Sequence, residues 1–520
     1  MQKKQYHILW LLSVLLLPYQ AVAMPHNETL NWFQHESKIP SQLSYPDIVD
    51  RLYQANQRDL IWTDEELADQ LEAQLERIQQ AGFSPLFDRR LQALHVYRDQ
   101  HSWFEYDALA TDTLLLYLSY ADLASSQGQS WFFGGKLTQD LPAPKETRII
   151  ALTKAITEQR ISHFIDNLAP SSDDYPQLVT AYQQLEPYVN SVLPRYSYTG
   201  VIHVGEPLPD RDILLQRMQV VGIDISRVRT DVAYYDASLE PAVKAFQRMH
   251  GLQPDGVIGA ATLKWINISP KTRQSILALN MERDRLWPTQ RDTLIIVNIP
   301  SYQMRYWFHG KEEFDANVIV GRSTRQTPVM LTHLNALILN PTWNVPDTIM
   351  AEDLIPKAKR DPSYLARQNI EIIRSWTSSE VIDPAQVDWA NINPKTFPYR
   401  LRQKSGPANS LGLYKFNTPN NLAIYLHDTP AKGLFNRAQR AFSSGCIRVH
   451  HADQFAQALL RSQGLNEMAV EKNRGRSNAV VSMKQRVPVH LIYKTAWAAN
   501  GQAQYRDDVY HYDRKMIQGI

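Results

Sequence analysis

A chain of 520 residues with a single cysteine, Cys446, cannot close a disulfide within itself. Whatever it folds into must be held by buried apolar side chains and hydrogen bonds. The composition allows this, with 44% of residues hydrophobic and 21% charged. Such a balance excludes disordered, collagen-like and low-complexity chains. At ~100–200 residues per domain, the length predicts about three or four domains. Lys and Arg number 55 against 53 Asp and Glu, a net charge of +2. A near-neutral chain is poor material for a nucleic-acid binder, which needs a basic face to displace counterions. The 12 Trp and 25 Tyr would suit sugar or peptide grooves, although ordinary packing accounts for most of them.

The first residues set the redox context. Lys3 and Lys4 precede a mostly apolar run, Ile8–Leu17, which ends in Ala21-Val22-Ala23. This pattern predicts a secretory signal peptide over residues 1–23, cleaved after Ala23. Ten apolar residues of helix cover ~15 Å, about half a bilayer core, so a membrane anchor is disfavoured. No later stretch approaches ~20 consecutive apolar residues, so stable membrane insertion is not expected. The expected compartment is the periplasm.

Cysteines in an oxidising compartment usually pair. Cys446 is left with three readings: a buried inert thiol, an intermolecular disulfide, or a nucleophile. Its neighbours favour the third. Gly445 permits a tight turn that would expose the sulfur and aim successive backbone N–H groups at one point, as an oxyanion hole requires. Upstream, Leu422–His427 is an apolar, β-prone run ending in His427. Among 15 histidines, His427 is the one that ends a predicted strand ahead of the only thiol. A Cys–His pair suits acyl transfer: the imidazole lowers the thiol pKa and relays protons to leaving and attacking amines.

His427 together with Ser443-Ser444-Gly445-Cys446-Ile447-Arg448 resembles the active-site signature of the L,D-transpeptidases, the YkuD-type catalytic domain. Two positions depart from the common pattern: Ser444 stands where many members have His, and Asp428 where many have Gly. Asp428-Thr429-Pro430 resembles the large, scaffold-bearing YcbB-type branch. A backbone carbonyl is the expected orienter of His427. Val320-Gly321-Arg322 and Thr327-Pro328 resemble the entry to the same domain. The resemblance implies Cys446 as nucleophile and His427 as base and acid. It implies Gly445, Ser444, Ser443 and Arg448 as residues that shape the site and its oxyanion hole. Tyr425 and Asn409 are expected to touch substrate. The implied donor is a tetrapeptide stem of peptidoglycan, which loses D-Ala, and the implied acceptor is a diaminopimelate amine. The product is a 3→3 cross-link. Carbapenems are the implied inhibitors, and no metal or organic cofactor is implied.

The fold class expected is a multidomain α+β chain. Residues 24–204 carry helical periodicity, including Leu71, Leu75 and Ile78, with Asp64, Glu65 and Glu66 placed to complement a helix N-terminus. They form the predicted helical scaffold. Residues 205–275 contain Leu239, Val243, Phe246 and Met249 on one helical face, then Gly251, the turn Pro254-Asp255-Gly256 and a short helix Ala260–Ile266. This run resembles the small peptidoglycan-binding helical module. Residues 292–513 read as a mostly-β catalytic domain, with strands expected in Thr293–Gly321, Ala336–Asn340, Leu411–Phe416, Val487–Leu491 and Tyr505–Tyr510. Its proline-broken stretch at about 345–405 is expected to be an inserted cap, too long for an ordinary loop.

Two other function classes stay open from sequence. His450, His451 and Asp453 could serve a metal-dependent peptidoglycan hydrolase. However, adjacent strand histidines point to opposite faces, and no zinc-type spacing supports them. A non-catalytic wall-binding scaffold would leave Cys446 inert.

Overall fold

The computed structural model describes residues 42–517, except 467 and 474. The expected signal peptide and its cleavage site lie outside the described residues. The chain divides into two compact units. The first takes the described residues up to Gln74, then Arg89–Ser119 and Asp140–Leu168; the second takes Leu75–Asp88, Tyr120–Gln139 and Ala169 onward. The helices of residues 24–204 are thus shared between both.

The first unit is helical. Helix Pro46–Ala55 buries Val49, Leu52 and Tyr53 on one face. The segment that follows is fixed by a buried carboxylate. Asp107 accepts hydrogen bonds from the Ile61 and Trp62 amides at 3.1 and 2.7 Å, and Trp62 Nε1 donates to Thr111 Oγ1. The Asp64 side chain accepts the Glu66 amide at the start of helix Glu65–Gln80, as its acidic first turn predicts.

Within the second unit, helix Glu240–Met249 buries the expected stripe of Val243, Phe246 and Met249. Gln247 locks the turn that follows, donating to Asp255 and Val257 and accepting the Gly256 amide. Helix Ala260–Ile266 comes next, then helix Pro270–Arg283.

From residue 294 the hydrophobic period shortens to two and the chain becomes strand. The strands are β1 Leu294–Asn298, β2 Gln303–Phe308, β3 Lys311–Gly321, β4 Met330–Leu339, β5 Trp343–Asn344, β6 Ile370–Ile373, β7 Val381–Ile382 and β8 Arg400–Gln403. They continue as β9 Tyr414–Asn417, β10 Leu426–His427, β11 Ala441–Ser443, β12 Ile447–Val449, β13 Ala479–Ile492, β14 Ala496–Ala499 and β15 Gln502–Tyr505. Nine of them form one sheet in the order β11-β3-β12-β10-β9-β4-β13-β1-β2. One face packs on helix Ala452–Ser462, where Phe455 meets Tyr306, Phe314 and Phe416.

Between β4 and β9 the chain leaves to build a separate four-stranded sheet, β5-β8-β6-β7. It has its own core around Ile355, Leu365, Ile372 and Leu401. A polypeptide that buries its own apolar side chains is a subdomain rather than a loop.

Four strand expectations differ from the structure. Leu411–Phe416 is strand only from Tyr414, because Gly412 turns the chain at φ 61°. The run Leu422–His427 is strand only at Leu426–His427, because Ala423 turns the chain at φ 53°. Tyr505–Tyr510 does not complete the main sheet. β15 ends at Tyr505 and pairs only with β14 as a two-stranded hairpin, while Tyr510 is buried as a hydrogen-bonding tyrosine. His450 and His451 do not lie on a strand either. β12 ends at Val449, His451 turns at φ 51°, and the two rings lie side by side, 3.7 Å between centroids. Among the described residues, no helix is long and apolar enough to cross a membrane.

Candidate active site

The alternation of strand side chains sorts the site. In β10 and β12, which pair in parallel, Leu426 lies opposite Ile447 and His427 opposite Arg448. Leu426, Ile447 and Val449 point into the core with Phe416 of β9. The residues between them therefore share the other face. On that face Lys415, His427 and Arg448 stand in a row across three adjacent strands. Two residues back along the same register, Tyr425 neighbours Cys446, with the Ile447 amide donating to the Tyr425 carbonyl at 3.0 Å.

Cys446 sits at the end of a turn between β11 and β12 and is half-buried. Gly445 adopts φ +115°, a conformation other residues rarely adopt. Each side of the turn is tied down. Ser443 Oγ donates to the Cys446 carbonyl at 2.5 Å and accepts the Gly445 amide at 3.1 Å. The Gly445 carbonyl accepts from Thr327 Oγ1 at 2.7 Å. Thr327 Oγ1 in turn accepts the Gly321 amide, and Tyr510 bonds both Gly321 O and Thr327 N. A side chain on Gly321 would meet Arg325 O at 2.2 Å, so only glycine lets the Val320-Gly321…Thr327-Pro328 loop fold under the nucleophile turn. The Gly445 amide is occupied by Ser443, whereas the Cys446 amide has no hydrogen-bond partner among the described residues. Of the two backbone amides expected to face the reacting carbonyl, those of Gly445 and Cys446, the Gly445 amide is thus already engaged.

His427 is only 5% exposed. Its Nδ1 lies 2.5 Å from the Asp428 carbonyl. A carbonyl only accepts, so Nδ1 carries the proton and Nε2 keeps its lone pair. The orienter is a backbone carbonyl, as expected. Asp428 is itself pinned through its carboxylate by Lys432 and by the Leu413 amide.

Burial governs the electrostatics. It holds the His427 imidazole down at about 3, with Arg448 and Lys415 adding repulsion. It also pushes the Cys446 thiol above its usual value. The Tyr425 amide and phenol, Lys415 and Arg448 oppose that rise. This differs from the sequence expectation that the imidazole lowers the thiol. Both shifts favour the neutral forms, and the thiol donates to Ala423 O. Lys415 and Arg448 are half-buried cations weakened by desolvation. Neither has an ion-pair partner among the described residues. Lys415 Nζ rests 4.2 Å from the Tyr425 ring centroid, and the buried Nε of Arg448 has no partner.

Tyr425 therefore belongs at the sulfur itself. Ser444 is held from the side by Arg325, 3.1 Å from its hydroxyl, and Arg325 also pairs with Glu352 and Asp353 of the inserted subdomain. Asn409 is not part of this cluster. It is 2% exposed, donates to the Lys404 and Gln403 carbonyls and accepts the Leu411 amide, so its polar atoms are consumed in a turn. Lys415, Thr327 and Arg325 complete the cluster beyond the residues expected. The Lys415-Phe416 alternation next to a strand ending in His427 is the signal that would have found Lys415. Among the described residues, no group of three His, Cys, Asp or Glu side chains is placed to hold a metal.

Known proteins match this arrangement along most of the chain. Residues 292–481 match the L,D-transpeptidase catalytic domain, residues 47–181 a scaffold domain, and residues 213–266 the "Putative peptidoglycan binding domain". A protein of Haemophilus influenzae described as "Putative L,D-transpeptidase" is 32% identical over 483 residues, covering 91% of this chain and 80% of its own length. The chain belongs to the L,D-transpeptidase family. Two solved L,D-transpeptidases are more distant. The one from Xylanimonas cellulosilytica is 12% identical, covers 57% of this chain and 100% of its own, and has a TM-score of 0.17. The one from Stackebrandtia nassauensis is 12% identical, covers 56% and 94%, and has a TM-score of 0.22. The transpeptidase described here thus joins a helical N-terminal region and a helical peptidoglycan-binding module to a β-rich catalytic domain.

Proposed function

We propose that this L,D-transpeptidase works in the periplasm and forms 3→3 cross-links through a thioester on Cys446. The observation that carries the reading is the neutral His427, locked by the Asp428 carbonyl and standing on the strand beside the Cys446 turn. His427 Nε2 takes the thiol proton as sulfur attacks the carbonyl between diaminopimelate and the terminal D-Ala of a tetrapeptide stem. A sulfur–carbon bond forms and the carbon–nitrogen bond to D-Ala breaks. The imidazolium returns the proton to the departing amine. The diaminopimelate amine of a second stem then attacks the thioester, loses its proton to His427, and the thiol is restored. The Cys446 amide faces the developing oxyanion, and Lys415 and Arg448 supply positive potential where negative charge appears.

The protein incubated with a disaccharide-tetrapeptide should release D-Ala and yield a cross-linked dimer, both read by mass spectrometry. Cys446→Ala should do neither and should remain folded. A carbapenem, an activated acyl donor, should add one drug mass to the wild type and none to Cys446→Ala. An adduct that persists in Cys446→Ala would sink the assignment of the nucleophile.

A further inference from the structure

Four arginines gather at the junction of the helical module and the catalytic domain. A cleft of about 420 Å³ is lined by Arg248 of helix Glu240–Met249, by Arg437 and Arg440 ahead of β11, and by Arg506 after β15. Arg440 is 9% exposed. Its guanidinium donates to the carbonyls of Val318, Arg437 and Tyr302 and to Asn317 Oδ1, all neutral acceptors. Arg506 donates to the Met249 and Tyr505 carbonyls and covers the Trp497 ring. Burial, with repulsion from Arg440, holds it down at about 10. Arg248 and Arg437 are exposed at the rim, with no ion pair among the described residues. The one acid on the cleft wall, Asp507, is taken by Lys264 at 2.8 Å.

Buried like charges without a counter-charge are costly to keep and are found where an anion is to be received. The cleft also leads somewhere. A neighbouring cavity of about 320 Å³ shares Tyr302, Gln439 and Asp507 with it and reaches Arg322. The Arg322 amide donates to the Ser443 carbonyl, three residues before the nucleophile.

We infer that this cleft is a second binding site, separate from the Cys446 centre, for the free carboxylates of a peptidoglycan strand. The inference rests on the transpeptidase reading for its choice of polymer. Guanidinium groups bind carboxylates in paired hydrogen bonds. Peptidoglycan presents carboxylates on successive stems, so a strand held at Arg248 and Arg437 would run along the second cavity toward Ser443.

The test uses the full chain carrying Cys446→Ala, so that nothing turns over. Co-sedimentation with intact sacculi should weaken about tenfold when Arg248→Ala and Arg437→Ala are added, with a flatter salt dependence. Sacculi whose stem carboxylates have been amidated should bind the parent as weakly as untreated sacculi bind the double variant. Equal thermal midpoints would show that the exposed arginines were removed without unfolding. Charge reversal, with Arg437→Glu alone, should reproduce the loss. Unchanged binding by the double variant, or full binding to amidated sacculi, overturns the inference. Failure of the catalytically intact enzyme on a soluble tetrapeptide donor would instead sink the transpeptidase reading, and sedimentation would still decide the cleft.

Discussion

The two central side chains, His427 and Cys446, are each held away from the ionic form. An imidazole held at about 3 cannot exist as a resting imidazolium near neutrality, and a thiol raised by burial cannot exist as a resting thiolate. On the proposed function, attack would then be concerted with proton transfer, with His427 as a general base. The sign of the pH dependence follows. Below its ordinary pKa of about 6.5 an unperturbed histidine would be protonated and the rate would fall. Here the base form survives far lower. Carbapenem acylation of wild type, followed by intact mass, should stay level within about twofold from pH 5.5 to 8. In His427→Ala only free thiolate attacks, so the rate should be lower and climb about tenfold per pH unit over that range. A wild-type rate that halves near pH 6.5 would show His427 titrating as an ordinary imidazole and overturn this expectation.

At the level of elements, the Cys446 turn is held by a loop distant in sequence. Thr327 is fully buried and its hydroxyl joins the Gly321 amide to the Gly445 carbonyl. Thr327→Val keeps the volume and strands both partners. Loss of two buried hydrogen bonds should cost about 2–4 kcal/mol. Since Gly445 is freed at the same time, Cys446 acylation should slow more than tenfold while a urea titration still reports a folded domain. Equal acylation rates would reduce Thr327 to packing. The elements also mark where sequence was legible. The helix with Val243, Phe246 and Met249 and the strand pattern of β1 to β3 are local signals, and they appear where periodicity puts them. Cys446 and His427 were legible because a lone thiol and a strand-ending imidazole are rare together. Lys415 was not, because a lysine in a short strand reads as solvent-facing until β10 is laid beside it. Asn409 misled for the converse reason: a polar residue near a site is as able to close a turn as to meet a ligand. Tyr510 looked like strand, yet its hydroxyl is committed to Gly321 and Thr327 across nearly 200 residues of chain, a contact no local pattern announces.

Across the whole molecule, buried titratable groups set opposite responses to acid in the two compact units. The second unit holds three imidazoles lowered strongly by burial, His250 well below its ordinary value, His427 to about 3 and His490 to about 4, and burial lowers His450 less. An unfolded chain protonates these groups near pH 6.5, so below that point it binds more protons than the folded one, and stability falls. Asp513, raised by burial although Arg283 opposes it, works the other way as one group against three. Among the described residues, the first unit has no such imidazole in its core but buries Asp107, lifted to about 6, and Asp112, also raised. For these the folded state takes the proton first. Their neutralisation between pH 6 and 4 removes a burial penalty and favours folding. Urea titrations at pH 7 and pH 4.5, read by hydrogen-exchange pulses at one fixed labelling pH, separate the two responses. Strands β1, β10, β12 and β13 should lose protection at markedly lower urea at pH 4.5, a loss on the order of a few kcal/mol. Helix Pro46–Ala55 and the part of helix Trp103–Phe132 around Asp107 should shift little, or upward. Asp107→Asn should remove any upward shift in the first unit and leave the second unchanged. Equal downward shifts in both units would show that the buried imidazoles do not control acid stability.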